Sequence, residues 1–279
     1  MTFSDCMNIG GRLLDLNEPR VMGIINLTPD SFYAPSRLDS LERLTERVRE
    51  MIAEGAAMID VGACSTRPGS TPATEEEETE RLRFGLPVII KEAKGRAVIS
   101  VDTFRSDIAR MCVEEYGVEI INDVTGGDAD KRMMRTVANL RVPYVLTHWE
   151  DVTGEKALLP AMMLQLSRRL MKLREKGVAD VFVDPGFGFG KTLEQNYELM
   201  NGLENFAELR SPLLVGISRK SMLWRLLDTT PEHTLNATTS LNTIALMKGA
   251  KVLRVHDVKE AFDAVRVFNA LSKSRNLVN

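Results

Sequence analysis

At 279 residues, 44% hydrophobic and 27% charged, with 19 Gly and 11 Pro, the chain has the make-up of a soluble globular protein, with room for one large α/β barrel or two smaller domains. Its formal net charge of −3 argues against nucleic acid as the main partner. Three scattered cysteines, Cys6, Cys64 and Cys112, argue against a disulfide framework, and no apolar run nears the ~20 residues that span a membrane.

The first ten residues lack the basic-then-apolar layout of a signal peptide, so a reducing, cytoplasmic compartment is expected. Short basic clusters at Arg132–Arg135 and Arg168–Arg169 read as solvated helix faces.

Taken in chain order, eight short apolar runs recur: Val21–Ile25, Met58–Val61, Val98–Val101, Val118–Ile121, Val142–Leu146, Val181–Val183, Leu213–Ile217 and Lys251–Val255. They are rich in Val and Ile and read as parallel strands buried on both faces. Helical patterns lie between them. Leu41, Leu44, Val48, Met51 and Ile52 share one face before Gly55, Ile108, Met111 and Cys112 do so before Gly117, and Phe262, Val265 and Phe268 mark a last helix. Thr74 followed by Glu75 to Glu78 reads as an N-cap with a capping box and an acidic first turn, without a catalytic role. Eight strands alternating with helices predict an α/β fold, a single-domain (β/α)8 TIM barrel over residues 1–279 with its core at about 18–272. A doubly wound open sheet is the alternative, disfavoured because no GxGxxG follows the first run.

Each run ends on or near a polar residue with no packing reason to be there. In order these are Asn26, Thr66 with Arg67, Asp102, Asn122, His148, Asp184, Lys220, and His256 close to Arg254. One such residue merely closes a strand, but in a barrel the carboxyl ends of all strands converge on one face, where active sites lie. Arg67, Arg254 and His256 suit a phosphorylated leaving group, because guanidinium forks match phosphate oxygens. Asp102 and Asp184 suit a ring with adjacent N–H donors. An anionic, heterocyclic substrate is the expected ligand. The segment GFGFGKT (Gly186–Thr192) fails the P-loop spacing, no HExxH or GxSxG motif occurs, and His233 reads as a surface histidine.

As strings, the strand ends resemble the dihydropteroate synthase family. The resemblance is carried by MGIINLTPDSF (Met22–Phe32), IDVGACSTRPGS (Ile59–Ser70), ISVDTFRSDIA (Ile99–Ala109), INDVTGG (Ile121–Gly127), DPGFGFGKT (Asp184–Thr192), VGISRKSML (Val215–Leu223) and LRVHDV (Leu253–Val258). Two segments depart from the family pattern. Thr147-His148-Trp149 stands where Met-His-Met is common, and Tyr33–Arg37 where Asp-Gly-Gly is usual.

The resemblance implies a transferase of folate biosynthesis that joins 6-hydroxymethyl-7,8-dihydropterin pyrophosphate to 4-aminobenzoate without a covalent enzyme intermediate. It implies that Asp184 holds the amino-pyrimidinone edge, that Asp102 and Asn122 take further ring nitrogens, that Lys220 meets the carbonyl oxygen or a ring nitrogen, and that Arg254 stacks on the ring. Asn26, Arg67, Arg254 and His256 would meet the pyrophosphate, with Mg2+ bridging to Asn26. Thr66, Pro68, Phe189, Lys220 and Ser221 would shape the aminobenzoate pocket. Asp102, Lys220, Arg254 and Arg67 would carry catalysis. The resemblance also implies a homodimer paired through the last helices, sulfonamides as competitors, and small molecules rather than nucleic acid or membrane as partners. A pterin-dependent methyltransferase domain and a non-catalytic pterin-binding paralogue are the alternatives.

Overall fold

In a computed structural model the chain is described over residues 6–28, 37–65 and 71–275. Eight parallel strands close into a barrel in the order β10-β3-β4-β5-β6-β7-β8-β9. They are β3 (Arg20–Asn26), β4 (Met58–Gly62), β5 (Val98–Asp102), β6 (Ile120–Asp123), β7 (Tyr144–Thr147), β8 (Val181–Asp184), β9 (Leu213–Val215) and β10 (Ala250–Val255). The predicted (β/α)8 barrel is therefore the observed fold.

The helices that wrap it follow the predicted patterns. In α1 (Arg37–Ala53) the buried Leu44, Val48 and Met51 face the barrel. Helix α2 (Glu75–Ala93) starts on Thr74, whose hydroxyl accepts from Glu77 N–H at 3.2 Å while the Glu77 carboxylate takes Thr74 N–H at 2.9 Å. Helix α3 (Ser106–Tyr116) ends on Gly117. The remaining helices are α4 (Met133–Leu140), α5 (Leu158–Glu175), α6 (Leu193–Asn201), α7 (Ser221–Leu226), α8 (Leu235–Met247) and α9 (Val258–Arg275).

One element was not anticipated. Strands β1 (Cys6–Ile9) and β2 (Arg12–Asp15) form an antiparallel hairpin turned by Gly10 and Gly11, both at positive φ (56° and 83°), as a two-residue turn requires. It closes the amino-terminal end of the barrel. Met7, Ile9 and Leu16 join Met22, Met58, Val98, Ile120, Val145, Phe182, Leu214 and Val252, the lower inward-facing residues of the eight strands, in one buried cluster. Asn8 N–H donates to Asp180 at 3.1 Å, and Arg12 pairs with Glu119.

Arg169 corrects the reading of the Arg168–Arg169 pair as a solvated face. Its side chain is only 12% exposed, and it donates to Gly126 O at 2.9 Å and Glu150 Oε1 at 2.5 Å while pairing with Asp128. It ties the loop after β6 to the loop after β7. Arg132 remains exposed, as expected. His233 is also exposed, close to Thr230 at 3.2 Å.

Candidate active site

Strand register decides which side chains enter the barrel. Val145 and Phe182 are paired and both belong to the lower inner cluster. Successive side chains alternate between faces, so every second residue above that level also points inward. Two rows result. Ile24, Asp60, Ser100 and Ile120 are neighbours in register, and above them lie Asn26, Gly62, Asp102 and Asn122. The lower half of the interior is thus apolar and the upper half polar.

Asp60, which sequence reasoning passed over inside an apolar run, is the hub of the upper half. It is fully buried, accepting from Ser100 Oγ at 2.6 Å, Asn122 Nδ2 at 2.9 Å and Arg254 Nε at 2.7 Å. Arg254 donates a second bond from Nη2 to Asp102 Oδ2 at 2.8 Å. Two carboxylates from different strands therefore fix the guanidinium across the interior, and they hold its charge more firmly than usual. With its amide nitrogen donating to Asp60, Asn122 keeps a buried Oδ1 that has no hydrogen-bond partner among the described residues.

Burial sets the protonation of the remaining groups. It pushes the Asp102 carboxyl up to about 7, against the opposing pull of Arg254 and with help from Asp60. Asp184 is also raised by burial, opposed by Lys220 and by the Gly186 N–H that it accepts at 2.8 Å. The Lys220 ammonium is lowered to about 8, again by burial, with Asp184 opposing. Lys220 Nζ donates to Phe187 O at 2.5 Å and lies 4.8 Å from the centre of the Phe189 ring. Lys220 and Asp184 thus face one another's fields from the ends of neighbouring strands.

The glycine-rich segment after β8 brings Phe187 and Phe189 to this point. Gly186 sits at φ +70°, and a Cβ there would collide with the carbonyl oxygen of His148. Lys191, another residue not singled out from the sequence as a site residue, locks the segment from behind. Its Nζ donates to Gly186 O at 2.9 Å and Phe189 O at 2.8 Å, and burial lowers its ammonium to about 7. His148 belongs to this support and not to the interior. One residue beyond inward-facing Thr147, its ring meets Gln165 of α5 at 2.5 Å and Lys191 at 3.3 Å. Burial depresses His148 to about 4, so Nδ1 accepts from Lys191 and Nε2–H faces Gln165.

On the far side of the mouth, His256 Nδ1 lies 3.0 Å from Ser218 Oγ, and its backbone N–H donates to the same hydroxyl at 3.2 Å. Arg219 grips Asp257 with bonds of 2.5 and 3.2 Å. The loops after β9 and β10 are therefore cross-linked, and they present Lys220, His256 and Ser221, the first residue of α7, at one rim. Asn26 ends β3, with Oδ1 beside Gly62. Asn26, Asp102, Asn122, Asp184, Lys220, Arg254 and His256 thus meet at the carboxyl end of the barrel. Thr66, Arg67, Pro68 and the Tyr33–Ser36 part of the first departing segment lie outside the described residues.

Residues 22–256 match the family described as "Pterin binding enzyme". A curated dihydropteroate synthase from Clostridium beijerinckii is 39% identical over 267 residues, covering 94% of this chain and 97% of that protein. The chain belongs to the dihydropteroate synthase family. Among solved structures, the Xanthomonas albilineans dihydropteroate synthase with 4-aminobenzoic acid aligns at a TM-score of 0.87 and 35% identity, covering 96% of this chain and 99% of that one. The Yersinia pestis dihydropteroate synthase in a sulfonamide drug complex aligns at a TM-score of 0.86 and 32% identity, with the same two coverages. These are transferases, and the match extends over the barrel and every strand end that builds the mouth. No helix among the described residues is long and apolar enough to cross a membrane.

Proposed function

We propose that the chain condenses 6-hydroxymethyl-7,8-dihydropterin pyrophosphate with 4-aminobenzoate, giving 7,8-dihydropteroate and pyrophosphate. The observation that carries this reading is the inward-facing set of Asp60, Asp102, Asn122, Asp184, Lys220 and Arg254. It offers carboxylate and amide acceptors beside a fixed guanidinium and an ammonium, which suits a flat ring rich in N–H donors that carries a carbonyl. In this reading Asp184 takes the amino-pyrimidinone edge, Asn122 Oδ1 accepts from a ring nitrogen, and Lys220 donates to the ring carbonyl oxygen or a ring nitrogen. Arg254, held by Asp60 and Asp102, supplies a guanidinium face for stacking.

Bond breaking follows from the leaving group. The bond between the pterin methylene and the pyrophosphate oxygen breaks, and the methylene carries positive charge delocalised into the dihydropterin ring. The Asp102 carboxylate beside the ring stabilises that charge. The amine of 4-aminobenzoate then forms the new C–N bond and releases its proton to solvent. An aromatic amine is neutral at working pH, so no strong base is required. Asn26, Arg67, Arg254 and His256 receive the pyrophosphate, while Thr66, Pro68, Phe189, Lys220 and Ser221 bound the aminobenzoate.

Mg2+ fits this donor set as a companion of the substrate. Asn26 offers one neutral oxygen, and among the described residues no group of three His, Cys, Asp or Glu side chains could cage a metal. Mg2+ ordinarily binds through few protein oxygens plus phosphates and water. When bound it neutralises pyrophosphate charge.

The exposed apolar residues Leu226, Met247, Val267 and Leu271 on α7, α8 and α9, with Leu227 just past α7, support a homodimer paired through these last helices. Three unpaired cysteines support a reducing cytoplasmic setting.

The test mixes the purified chain with pterin pyrophosphate, 4-aminobenzoate and Mg2+, following dihydropteroate by chromatography and pyrophosphate with and without amine. Product requiring all three is expected. Pterin binding without product would favour a non-catalytic paralogue, and a pterin-labelled protein during turnover would contradict the dissociative route. Arg67→Ala is expected to impair turnover while leaving pterin binding largely intact.

A further inference from the structure

We propose that Thr147 is a specificity-determining residue of the pterin subsite, its hydroxyl joining Asp184 and Asn122 at the ring's amino edge. The inference rests on the pterin reading above and deepens it at a residue where this chain departs from the pattern of the family it resembles, which commonly carries Met at this point. Thr147 pairs with Asp184 in register, two residues above the inward-facing pair Val145 and Phe182. By strand alternation its side chain therefore enters the barrel beside the Asp184 carboxylate.

The side chain is only 1% exposed, and its Oγ1 has no hydrogen-bond partner among the described residues. Its methyl carbon lies toward Gly186. A buried hydroxyl without a partner is destabilising, and Val would fill the same space without that penalty. A polar group kept at such a position is directed at a ligand. Asn122 Oδ1 supplies the second, independent observation. It is also buried and unpartnered, on the neighbouring strand β6. Thr147, Asn122 and Asp184 thus offer oxygens from three successive strands, complementary to a run of N–H donors. A site built from such groups rejects ligands lacking the matching donor more strongly than an apolar site does.

The experiment titrates the full chain with 6-hydroxymethyl-7,8-dihydropterin pyrophosphate and Mg2+ in the absence of amine, by calorimetry. Thr147→Val is expected to weaken binding about tenfold and Thr147→Ser by less than about threefold, the scale of one hydrogen bond. An analogue lacking the exocyclic amino group should bind wild type and Thr147→Val equally. The thermal midpoint of Thr147→Val should be unchanged or raised, because no protein partner is lost. Thr147→Val binding within twofold of wild type, or a lowered midpoint with unchanged affinity, would overturn the assignment. Failure of the wild type to bind the pterin compound would instead overturn the underlying pterin reading, and this proposal with it.

Discussion

Removing the Asp60 carboxylate tests whether the interior network works as one unit. Asp60→Ala deletes the ion pair with Arg254 and two further hydrogen bonds to the carboxylate, from Ser100 and Asn122. Losing one partner of a buried ion pair costs about 3–5 kcal/mol, because the remaining charge stays desolvated. Set against a total stability of about 5–15 kcal/mol, this is a large fraction. For a chain of this length it corresponds to a fall in Tm of roughly 6–10 °C. Arg254 keeps its bond to Asp102, so the loss should stay short of unfolding.

The assay is a double-mutant cycle of Asp60→Ala and Arg254→Met, followed by urea unfolding and by kcat/KM for the pterin substrate. If Asp60 acts by holding Arg254, the double variant loses about 2 kcal/mol less stability than the sum of the singles, and its kcat/KM is no worse than that of the poorer single. Effects additive within about 0.5 kcal/mol would refute the reasoning, leaving Asp60 as a buried carboxylate unrelated to the guanidinium.

Other consequences are open to direct measurement. Asp102, raised to about 7, is neutral below that pH and ionised above it, whereas Lys220, lowered to about 8, is charged below and neutral above. The kcat/KM profile should be a narrow bell with limbs near these values, and Asp102→Asn should abolish the acid limb. A flat profile from about pH 5 to 9 would reject both roles. Lys191→Met should raise KM for aminobenzoate by about tenfold through Phe189 while pterin affinity changes less than threefold, with Lys191→Arg recovering part of the loss. Equal losses on both ligands would remove its specific link to Phe189. Ile9→Ala, in the barrel floor, should lower urea stability by about 2–4 kcal/mol with kcat/KM unchanged.

The sequence disclosed the barrel because its strand runs are uniformly buried, and burial on both faces leaves a plain signature. The strand ends shifted by a residue or two. The run at Val118–Ile121 became Ile120–Asp123, and Val142–Leu146 became Tyr144–Thr147. What stayed hidden depended on register, which only pairing reveals. Asp60 lies between Ile59 and Val61 and reads locally as an interruption, yet the strand pleat turns it toward Ser100, Asn122 and Arg254. His148 shows the converse, since one residue past Thr147 it leaves the interior for Gln165. The hairpin escaped because four-residue strands with exposed Arg12, Leu13 and Asp15 carry almost no hydrophobic pattern. Arg169 misled because charge in a helix sequence does not disclose which way the helix is turned.

The hairpin has a further effect on traffic. With Met7, Ile9 and Leu16 stoppering one end, the described part of the barrel leaves its carboxyl end as the way in, so both substrates and both products would share it. A ring seated among Asp60, Asn122 and Asp184 would occupy the deeper position, and an amine beside Phe189 and Ser221 would sit above it as a stopper. On the proposed site the pterin would arrive before the amine, and the products would leave from the rim downward. An aminobenzoate bound first would bar the way to the shaft beneath it, so excess amine should slow the approach to steady state when pterin is added last.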